Sequence, residues 1–163
     1  KIDLTKNLRG KSLELKMRIY LEEDKLYALP ESIELAGSYV RRAMRKGTDY
    51  AEDSFEAECR DCVVRVKPLI VTRKRVSRSV LKALRENAKK DIEAHIKTRT
   101  AKEIFSDIMT NKLQKQLAMR LKKIYPLALC EIRMFEVLKN KEVKEEAKKT
   151  EERLTGRIDK LGM

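Results

Sequence analysis

The sequence has little of what most enzyme active sites are built from. It contains a single histidine, His95, and its five glycines do not fall in the spacings that cradle nucleotide phosphates. The GxSxG motif of serine hydrolases is also missing. A metal-dependent nuclease would need clustered carboxylates, and the acidic run at 22–24 is more typical of a turn. His95 lies beside the apolar stripe of a predicted helix and is expected to be packed there, so the sequence does not favour an enzyme.

Long apolar runs and a disulfide framework are absent as well. No stretch approaches the roughly 18 consecutive apolar residues of a membrane-spanning helix. Three cysteines fit a reducing compartment. Cys59 and Cys62 have the CxxC spacing of half a zinc site, but Cys130 and His95 are the remaining candidate ligands and neither has a paired spacing. We interpret the two cysteines as small residues flanking a hairpin turn and expect neither a metal nor another cofactor.

Tryptophan is absent and aromatic residues make up only 5% of the chain, so the core must be largely aliphatic. Hydrophobic residues still amount to 42% of 163 residues, which is enough for one compact domain. Positive charge is what the chain has in excess, with a formal net charge of +13 at pH 7. Because like charges repel, this excess indicates a polyanionic partner, either a nucleic acid or an anionic membrane surface.

Alternation of apolar and polar residues predicts strands in the first part of the chain. Period two over residues 12–21 predicts a half-buried strand, and residues 26–29 can return as a second strand that Pro30 ends. Residues 34–46 have helical spacing, with Gly47 as the end signal. An acidic arm (55–60) and a basic arm (62–70) predict a hairpin with cross-strand charge pairs of about 0.2–1 kcal/mol each.

Helical spacing replaces alternation in the second part. It predicts a helix over residues 77–97, and Thr100 with Glu103 has the capping-box form that begins a second helix. A third helical run ends at Tyr125-Pro126, after which residues 127–138 return to strand-like composition. This order predicts an α+β fold, with an antiparallel or mixed, partly barrel-like sheet and helices packed on it.

The composition changes again after Leu138. Residues 139–163 are dense in charges of both signs, which is typical of an exposed charged helix or a disordered tail. We therefore expect a single α+β domain over residues 1–138 and a charged tail over residues 139–163. Since the sequence opens with Lys1 rather than methionine, we also expect natural residues upstream, such as a targeting segment or a basic arm.

Positive charge is concentrated in two places. Between Arg65 and Lys90 the single acidic residue is Glu86, and the densest segment, 72–78, connects a predicted strand to a predicted helix, where backbone is exposed. A second cluster lies in the predicted helix 34–46. Arginine suits phosphate because its planar fork binds two oxygens at once. The predicted nucleic-acid-binding residues are Arg41, Arg42, Arg45, Lys46, Lys67, Arg73, Lys74, Arg75, Arg78, Lys82 and Arg85.

A solvated basic helix face is the competing interpretation, above all for Lys89 and Lys90. It fits the segment 73–78 less well, because uncompensated neighbouring cations would repel each other with nothing bound. Stacking platforms for bases are not indicated: the five tyrosines are scattered and none lies in an RRM-like signature. The expected recognition is therefore of RNA shape and backbone.

Two segments of the sequence resemble one protein family. VRVKPL at 64–69, followed by TRKR at 72–75, resembles the strand and basic loop of the small-subunit ribosomal protein family of archaea and eukaryotes known as S-three-a-e, or eukaryotic-type S-one. KKIYPL at 122–127, followed by EIR and EVL, resembles its final helix-to-strand segment. YVRR at 39–42 and LRGK at 8–11 align more loosely, so the resemblance covers 8–138. The first hairpin is shorter than in the family, and CRDC at 59–62 replaces an Asp-Gly type turn.

The resemblance implies a structural constituent of the small ribosomal subunit, in the cytoplasm, without a cofactor. It implies a position on the subunit platform near the mRNA exit and the 3′ end of the rRNA. The implied partners are small-subunit rRNA, neighbouring small-subunit ribosomal proteins and, at the exit channel, mRNA, with no membrane. By position, the loop 73–78 with Arg41 and Arg42 would contact rRNA. The alternatives are a free nucleic-acid-binding regulator or anionic-membrane binder and, last, a nuclease or other enzyme.

Overall fold

The structure, a computed structural model, describes residues 1–4, 11–22 and 25–140. Within them the chain forms seven strands and four helices. The strands are β1 (Ile2–Asp3), β2 (Leu13–Glu22), β3 (Lys25–Leu35), β4 (Tyr50–Glu52), β5 (Phe55–Glu58), β6 (Cys62–Thr72) and β7 (Leu127–Asn140). The helices are α1 (Gly37–Ala43), α2 (Arg78–Lys97), α3 (Ala101–Met109) and α4 (Lys112–Leu121). The predicted tail, apart from the last residues of β7, lies outside the described residues.

The described strands form one antiparallel sheet in the order β1-β2-β3-β7-β6-β4, with β5 also paired to β6. The last strand in sequence, β7, therefore lies inside the sheet, between β3 and β6. The helices pack on this sheet, which confirms the predicted α+β class. The sheet remains open and does not close into a barrel. None of the described helices is long and apolar enough to cross a lipid bilayer.

The core is aliphatic, as the composition predicts. Helix α2 buries Leu84, Ala88 and Ile92 completely at helical spacing, toward strands β4 and β5. The aromatic contribution is an edge-to-face contact between Phe105 and Phe135, whose ring centres are 4.9 Å apart. Burying one such large apolar side chain contributes about 1.5–3 kcal/mol, so these elements hold the sheet and its loops in place.

The strand β3 does not end at Pro30, as the sequence predicted, but continues to Leu35. Met17 pairs with Pro30 and Lys16 with Ser32, so Glu31 is the extra residue of a β-bulge. A bulge tolerates proline because the ladder is locally interrupted where its missing N–H would donate. The sequence therefore failed to predict that the strand continues past Pro30, because the bulge arises from pairing with β2 and has no local sequence signal.

Strand β2, the first strand that the sequence predicted, is half-buried over only part of its length. Leu13 and Leu15 are buried, whereas Ile19 and Leu21 on the same predicted face are exposed. Strand β3 pairs with β7 only over residues 32–34. The part of the β2–β3 hairpin nearer its turn therefore projects past β7. The alternation in the sequence correctly predicted the strand, but it did not show how much of the strand's apolar face is buried.

Helix α1 is shorter than predicted at both ends, because Glu34 and Leu35 belong to β3 and the helix runs only from Gly37 to Ala43, before the predicted end signal at Gly47. Helix α4 likewise ends at Leu121, before the predicted Tyr125-Pro126. The short strands β1 and β4 were not predicted. In each case pairing or packing with distant residues sets a boundary that a local pattern cannot show.

Two local predictions are confirmed in detail. In the β5–β6 hairpin, Arg65 Nη2 donates to Glu56 Oε1 at 3.0 Å, which is the expected cross-strand charge pair. At the start of α3, the Thr100 N–H donates to Glu103 Oε2 at 3.0 Å, and Thr100 Oγ1 accepts from the Glu103 N–H at 3.5 Å. These features depend on residues close in sequence, which is why the pattern was sufficient.

Candidate nucleic-acid interface

The basic loop that follows β6 is held in shape by Thr72 and Asp49. Thr72 is fully buried, and its hydroxyl accepts from the Asp49 N–H at 3.1 Å. The same hydroxyl lies 2.8 Å from the Lys74 carbonyl oxygen and 2.9 Å from that of Asp49, either of which can accept its hydrogen. The Asp49 carboxylate accepts from the Val76 N–H at 2.8 Å. The loop backbone is thus pinned at both ends, while Arg73, next to Thr72, is exposed.

The second basic cluster lies at the carboxyl end of α1 and just beyond it. The helix ends at Ala43, where Met44 takes an extended conformation, and the chain then turns at Gly47, whose positive φ of +86° glycine adopts without strain. The Thr48 hydroxyl donates to the Arg45 carbonyl oxygen at 2.7 Å, which closes the turn after the helix. Cations are favourable at a helix carboxyl end because unpaired carbonyl groups concentrate partial negative charge there. The exposed cations of this cluster are Arg41, Arg42, Arg45 and Lys46.

The two basic clusters meet around one cleft of about 710 Å³, which we call the basic cleft. Its position follows from the sheet: β6 and β7 pair Val71 with Leu129, and the Arg73 N–H donates to the Pro126 carbonyl oxygen at 3.4 Å. The loop after β6 therefore faces the start of β7. The lining residues are Arg42, Arg45, Lys46 and Arg73 with Tyr39, Ala43, Thr48, Ala128 and Leu129.

The cations of the basic cleft are not neutralised by acidic side chains of the described residues. The ion pairs among the described residues involve none of its three arginines or Lys46. Burial raises the pKa of Tyr39, and the Glu131 carboxylate adds to this rise while Arg42 opposes it. The Tyr39 hydroxyl therefore stays protonated and able to donate. The arrangement attracts anions and offers arginine forks at its rim.

The structure does not gather all of the predicted residues into this cleft. Arg41, Lys74 and Arg75 are exposed but do not line it. Lys67 is half-buried on β6, opposite Met134 in the register with β7. The outer face of α2 carries the exposed residues Arg78, Lys82 and Arg85.

The sequence did not predict the residues that give the cleft its shape, although it did predict those that give it positive charge. Thr72 and Asp49 are 23 positions apart in the chain, and nothing in either neighbourhood indicates their contact. Ala128 and Leu129 were predicted as part of a strand only, and Tyr39 was one of the five scattered tyrosines that did not indicate a stacking platform. The floor of the cleft depends on the pairing of β6 with β7, which a sequence pattern does not specify.

The cysteines of the CxxC segment lie at the β5–β6 turn, and both are buried. Their sulfur atoms are 2.7 Å apart, and the Cys59 N–H donates to the Cys62 carbonyl oxygen at 2.9 Å. The Asp61 carboxylate accepts from the Ala101 N–H at 3.3 Å, so the turn is anchored to the start of α3. In the part of the chain that the structure describes, no three His, Cys, Asp or Glu side chains are grouped to hold a metal ion.

The histidine is packed, as predicted from its place beside the apolar stripe of α2. His95 Nε2 lies 3.1 Å from Asp107 Oδ2, and Arg99 also contacts this carboxylate. The three side chains tie the end of α2 to α3. None of these three side chains lines the basic cleft.

A buried ion pair lies next to the floor of the cleft. Lys11 Nζ is 2.5 Å from Glu131 Oε1, and both side chains are largely buried. Burial raises the pKa of Glu131, although Lys11 and Gln114 oppose the rise. Burial also raises the pKa of Cys130 to about 12, so this thiol stays protonated and unreactive.

Comparison with known proteins finds similarity over almost all of the described chain. Residues 1–141 match the model of the Ribosomal S3Ae family. Similar curated proteins are named small ribosomal subunit protein eS1. That of Pyrobaculum aerophilum is 31% identical over 143 residues, which are 84% of this chain and 63% of the relative. That of Methanothrix thermoacetophila is 27% identical over 138 residues, 83% of this chain and 65% of the relative.

A third relative, from Methanothermobacter thermautotrophicus, is 30% identical over 95 residues, which are 58% of this chain and 49% of the relative. The chain therefore spans about half to two thirds of the length of the curated relatives that it matches.

Proposed function

The chain belongs to the Ribosomal S3Ae family, and we propose on this premise that it is a structural, non-catalytic constituent of the small ribosomal subunit that binds rRNA phosphates. The basic cleft is the observation that carries the proposal, because its cations have no acidic partner among the described side chains. Such a cluster is stabilised when a polyanion covers it.

The finer features of the proposal follow the family resemblance. The protein lies on the subunit platform near the mRNA exit and contacts neighbouring ribosomal proteins, and mRNA passes close to it. Its location is the cytoplasm, within the ribosome. Residues 1–138 act as one rRNA-binding domain, and residues 139–163 form a charged tail.

The proposed rRNA contacts comprise two groups of residues. The first group surrounds the basic cleft and the loop after β6, where arginine forks can hold phosphate oxygens in pairs. The second is the outer face of α2 with Lys67, where the cations are more dispersed. In full, the contacts are Arg41, Arg42, Arg45, Lys46, Lys67, Arg73, Lys74, Arg75, Arg78, Lys82 and Arg85.

The first test is the distribution of the native protein in a sucrose gradient. We expect it to co-sediment with the small subunit and to remain there after a wash at moderate salt. Recovery mostly in ribosome-free fractions would instead favour the alternative function of a free nucleic-acid-binding regulator.

The second test measures the salt dependence of rRNA binding. Replacing Arg73, Lys74 and Arg75 with alanine is expected to flatten the slope of log K against log salt by roughly two to three units, because each phosphate contact releases counterions. A matched control replaces three exposed lysines, Lys102, Lys115 and Lys122, for the same change in net charge. Equal losses in both variants would show that net charge alone drives binding and would remove the loop as a site.

A further inference from the structure

We propose that the basic cleft accepts one unpaired nucleotide of the bound RNA, with its base against the cleft floor and its flanking phosphates on the rim. The inference rests on the proposed RNA-binding function and names what that site takes. The cleft is open to solvent and, at about 710 Å³, is large enough to admit a nucleotide, since the pockets and clefts that bind small organic ligands measure about 300–1,000 Å³.

The chemistry of the cleft divides into an apolar floor and a cationic rim. Tyr39, Ala43 and Leu129 contribute the floor, and all three are half-buried. The rim cations come from both sides, from the end of α1 and from Arg73 at the end of β6. A nucleotide has the same division, since a base presents flat apolar faces while the phosphates on either side carry the charge.

A paired RNA helix does not match this division. Its bases are stacked inside and its outer surface presents sugars and phosphates, so a duplex would reach the rim and leave the apolar floor uncovered. A nucleotide that is turned out of the stack reaches both. Sequence reasoning assigned no tyrosine to base stacking, but Tyr39 is the aromatic side chain that the fold places between the two basic clusters.

The protonated Tyr39 hydroxyl adds a donor within the cleft. A tyrosine hydroxyl is protonated at neutral pH, and burial raises the pKa of Tyr39 further, so it can donate to the edge of a base or to a phosphate oxygen. An acidic peptide is the competing ligand for a cationic rim. It would satisfy the arginines but has no flat ring to cover the floor, which is why the observations favour RNA.

The test uses two RNA hairpins that differ in one group. One carries a single bulged nucleotide, and the other carries an abasic residue at the same position, so the phosphate charge is identical. Wild-type protein is expected to bind the bulged hairpin about tenfold more tightly than the abasic one, as loss of one base–aromatic contact implies. Fluorescence anisotropy at fixed salt measures both affinities, and a poly-glutamate peptide serves as competitor.

Variants that alter the cleft lining without changing the net charge test whether the preference for the bulged hairpin arises in the cleft. Ala128→Trp fills the cleft, and Tyr39→Leu keeps an apolar floor but removes the ring. Both are expected to abolish the preference for the bulged hairpin, so that each variant binds the bulged and the abasic hairpin with equal affinity. Met119→Trp, at an exposed position of α4, is the matched control and is expected to keep the preference. Thermal melting checks that each variant is folded.

The outcomes separate the two proposals. If wild type binds both hairpins equally, with the salt dependence expected above, the nucleotide site is wrong and the RNA-binding function stands. If wild type binds neither hairpin, the RNA-binding function fails and the nucleotide site fails with it. Displacement of both hairpins by poly-glutamate at an equal concentration of charges would identify the cleft as a site for acidic peptide and overturn the inference.

Discussion

Basic residues gather in two regions of the molecule, the basic cleft and the outer face of α2, and their surroundings differ. On α2, Lys82 lies 3.8 Å from Glu86, and Lys89 lies 3.9 Å from Glu93. Lys89 also lies over the Phe55 ring, 5.5 Å from its centre. The cleft cations have no such carboxylates among the described residues. Two basic residues of α2 therefore have neighbouring carboxylates, whereas the cleft cations have none among the described residues.

This comparison teaches that the number of basic residues does not identify an RNA site by itself. The segment from Arg65 to Lys90 is more basic in sequence than the cluster near α1, yet its helical half is accompanied by acids at i+4. What distinguishes the cleft is the convergence of cations from two distant segments on a concave surface. The following predictions test this difference, beginning with the largest effect.

The largest expected effect is on RNA affinity when the cleft loses its arginines. Replacing Arg42, Arg45 and Arg73 with alanine should weaken binding about a hundredfold at moderate salt, because three phosphate contacts are lost at once. Filter binding to small-subunit rRNA measures the change.

The matched variant for this experiment lies on the other region and removes the same charge. Replacing Lys82, Lys89 and Lys90 with alanine should weaken binding by only about threefold, since Lys82 alone among them is a proposed rRNA contact. Similar losses in the two variants would remove the distinction between cleft and helix face.

The next effect concerns the residue that shapes the loop beside the cleft. Thr72→Val keeps the shape of the side chain but leaves the partly buried Asp49 N–H without its acceptor, so we expect a loss of about 1–3 kcal/mol in unfolding free energy. Urea denaturation measures it. Thr98→Val serves as control, because the Thr98 hydroxyl donates to the His95 carbonyl oxygen at an exposed position and should cost less than about 0.5 kcal/mol. Equal costs would contradict the role of Thr72.

The buried ion pair between Lys11 and Glu131 offers a third environment to compare with the basic cleft and the outer face of α2. Because burial raises the pKa of Glu131 in the folded state, this group contributes stability that is fully present below the pKa of the unfolded glutamate and is lost as pH rises through the folded value. Glu131→Gln should remove that part of the pH dependence. Urea unfolding from pH 4 to 7 measures the unfolding free energy of both proteins. As pH rises, the unfolding free energy of wild type should fall relative to that of the variant. A constant or opposite trend would contradict the raised pKa.

The smallest effect is expected for the exposed pair on α2. Glu86→Gln removes the partner of Lys82 and should change the unfolding free energy by less than about 0.5 kcal/mol, because solvent and salt screen exposed ion pairs. Unfolding at low and high salt measures it. A change above 1 kcal/mol would show that the helix face is electrostatically coupled in a way that its geometry does not indicate.

The sequence predicted those parts of the fold that depend on neighbouring residues. The helical spacing of α2 and the Thr100–Glu103 capping box were sufficient because their partners lie within a few positions. The continuation of β3 through Pro30 was missed, since a bulge opposite Met17 removes the conflict that proline would otherwise cause. Short-range patterns thus located the longer elements, but not every boundary and not the short strands β1 and β4.

The candidate site was predictable in its charges and not in its shape. Runs of arginine indicated both basic clusters, whereas their meeting at one cleft depends on β7 pairing between β3 and β6. That pairing brings Leu129 opposite Val71, next to the loop that carries Arg73. Contacts between segments so far apart in the chain leave no periodic signal in the sequence, so the structure was needed to bring them together.

The most direct measurement is the position of the cleft arginines in an assembled small subunit at a resolution that shows side chains. We expect the guanidinium groups of Arg42, Arg45 and Arg73 to lie within hydrogen-bonding distance of rRNA phosphate oxygens. If these groups instead point into open solvent, or meet acidic side chains of a neighbouring protein, the cleft is not the RNA site of this chain.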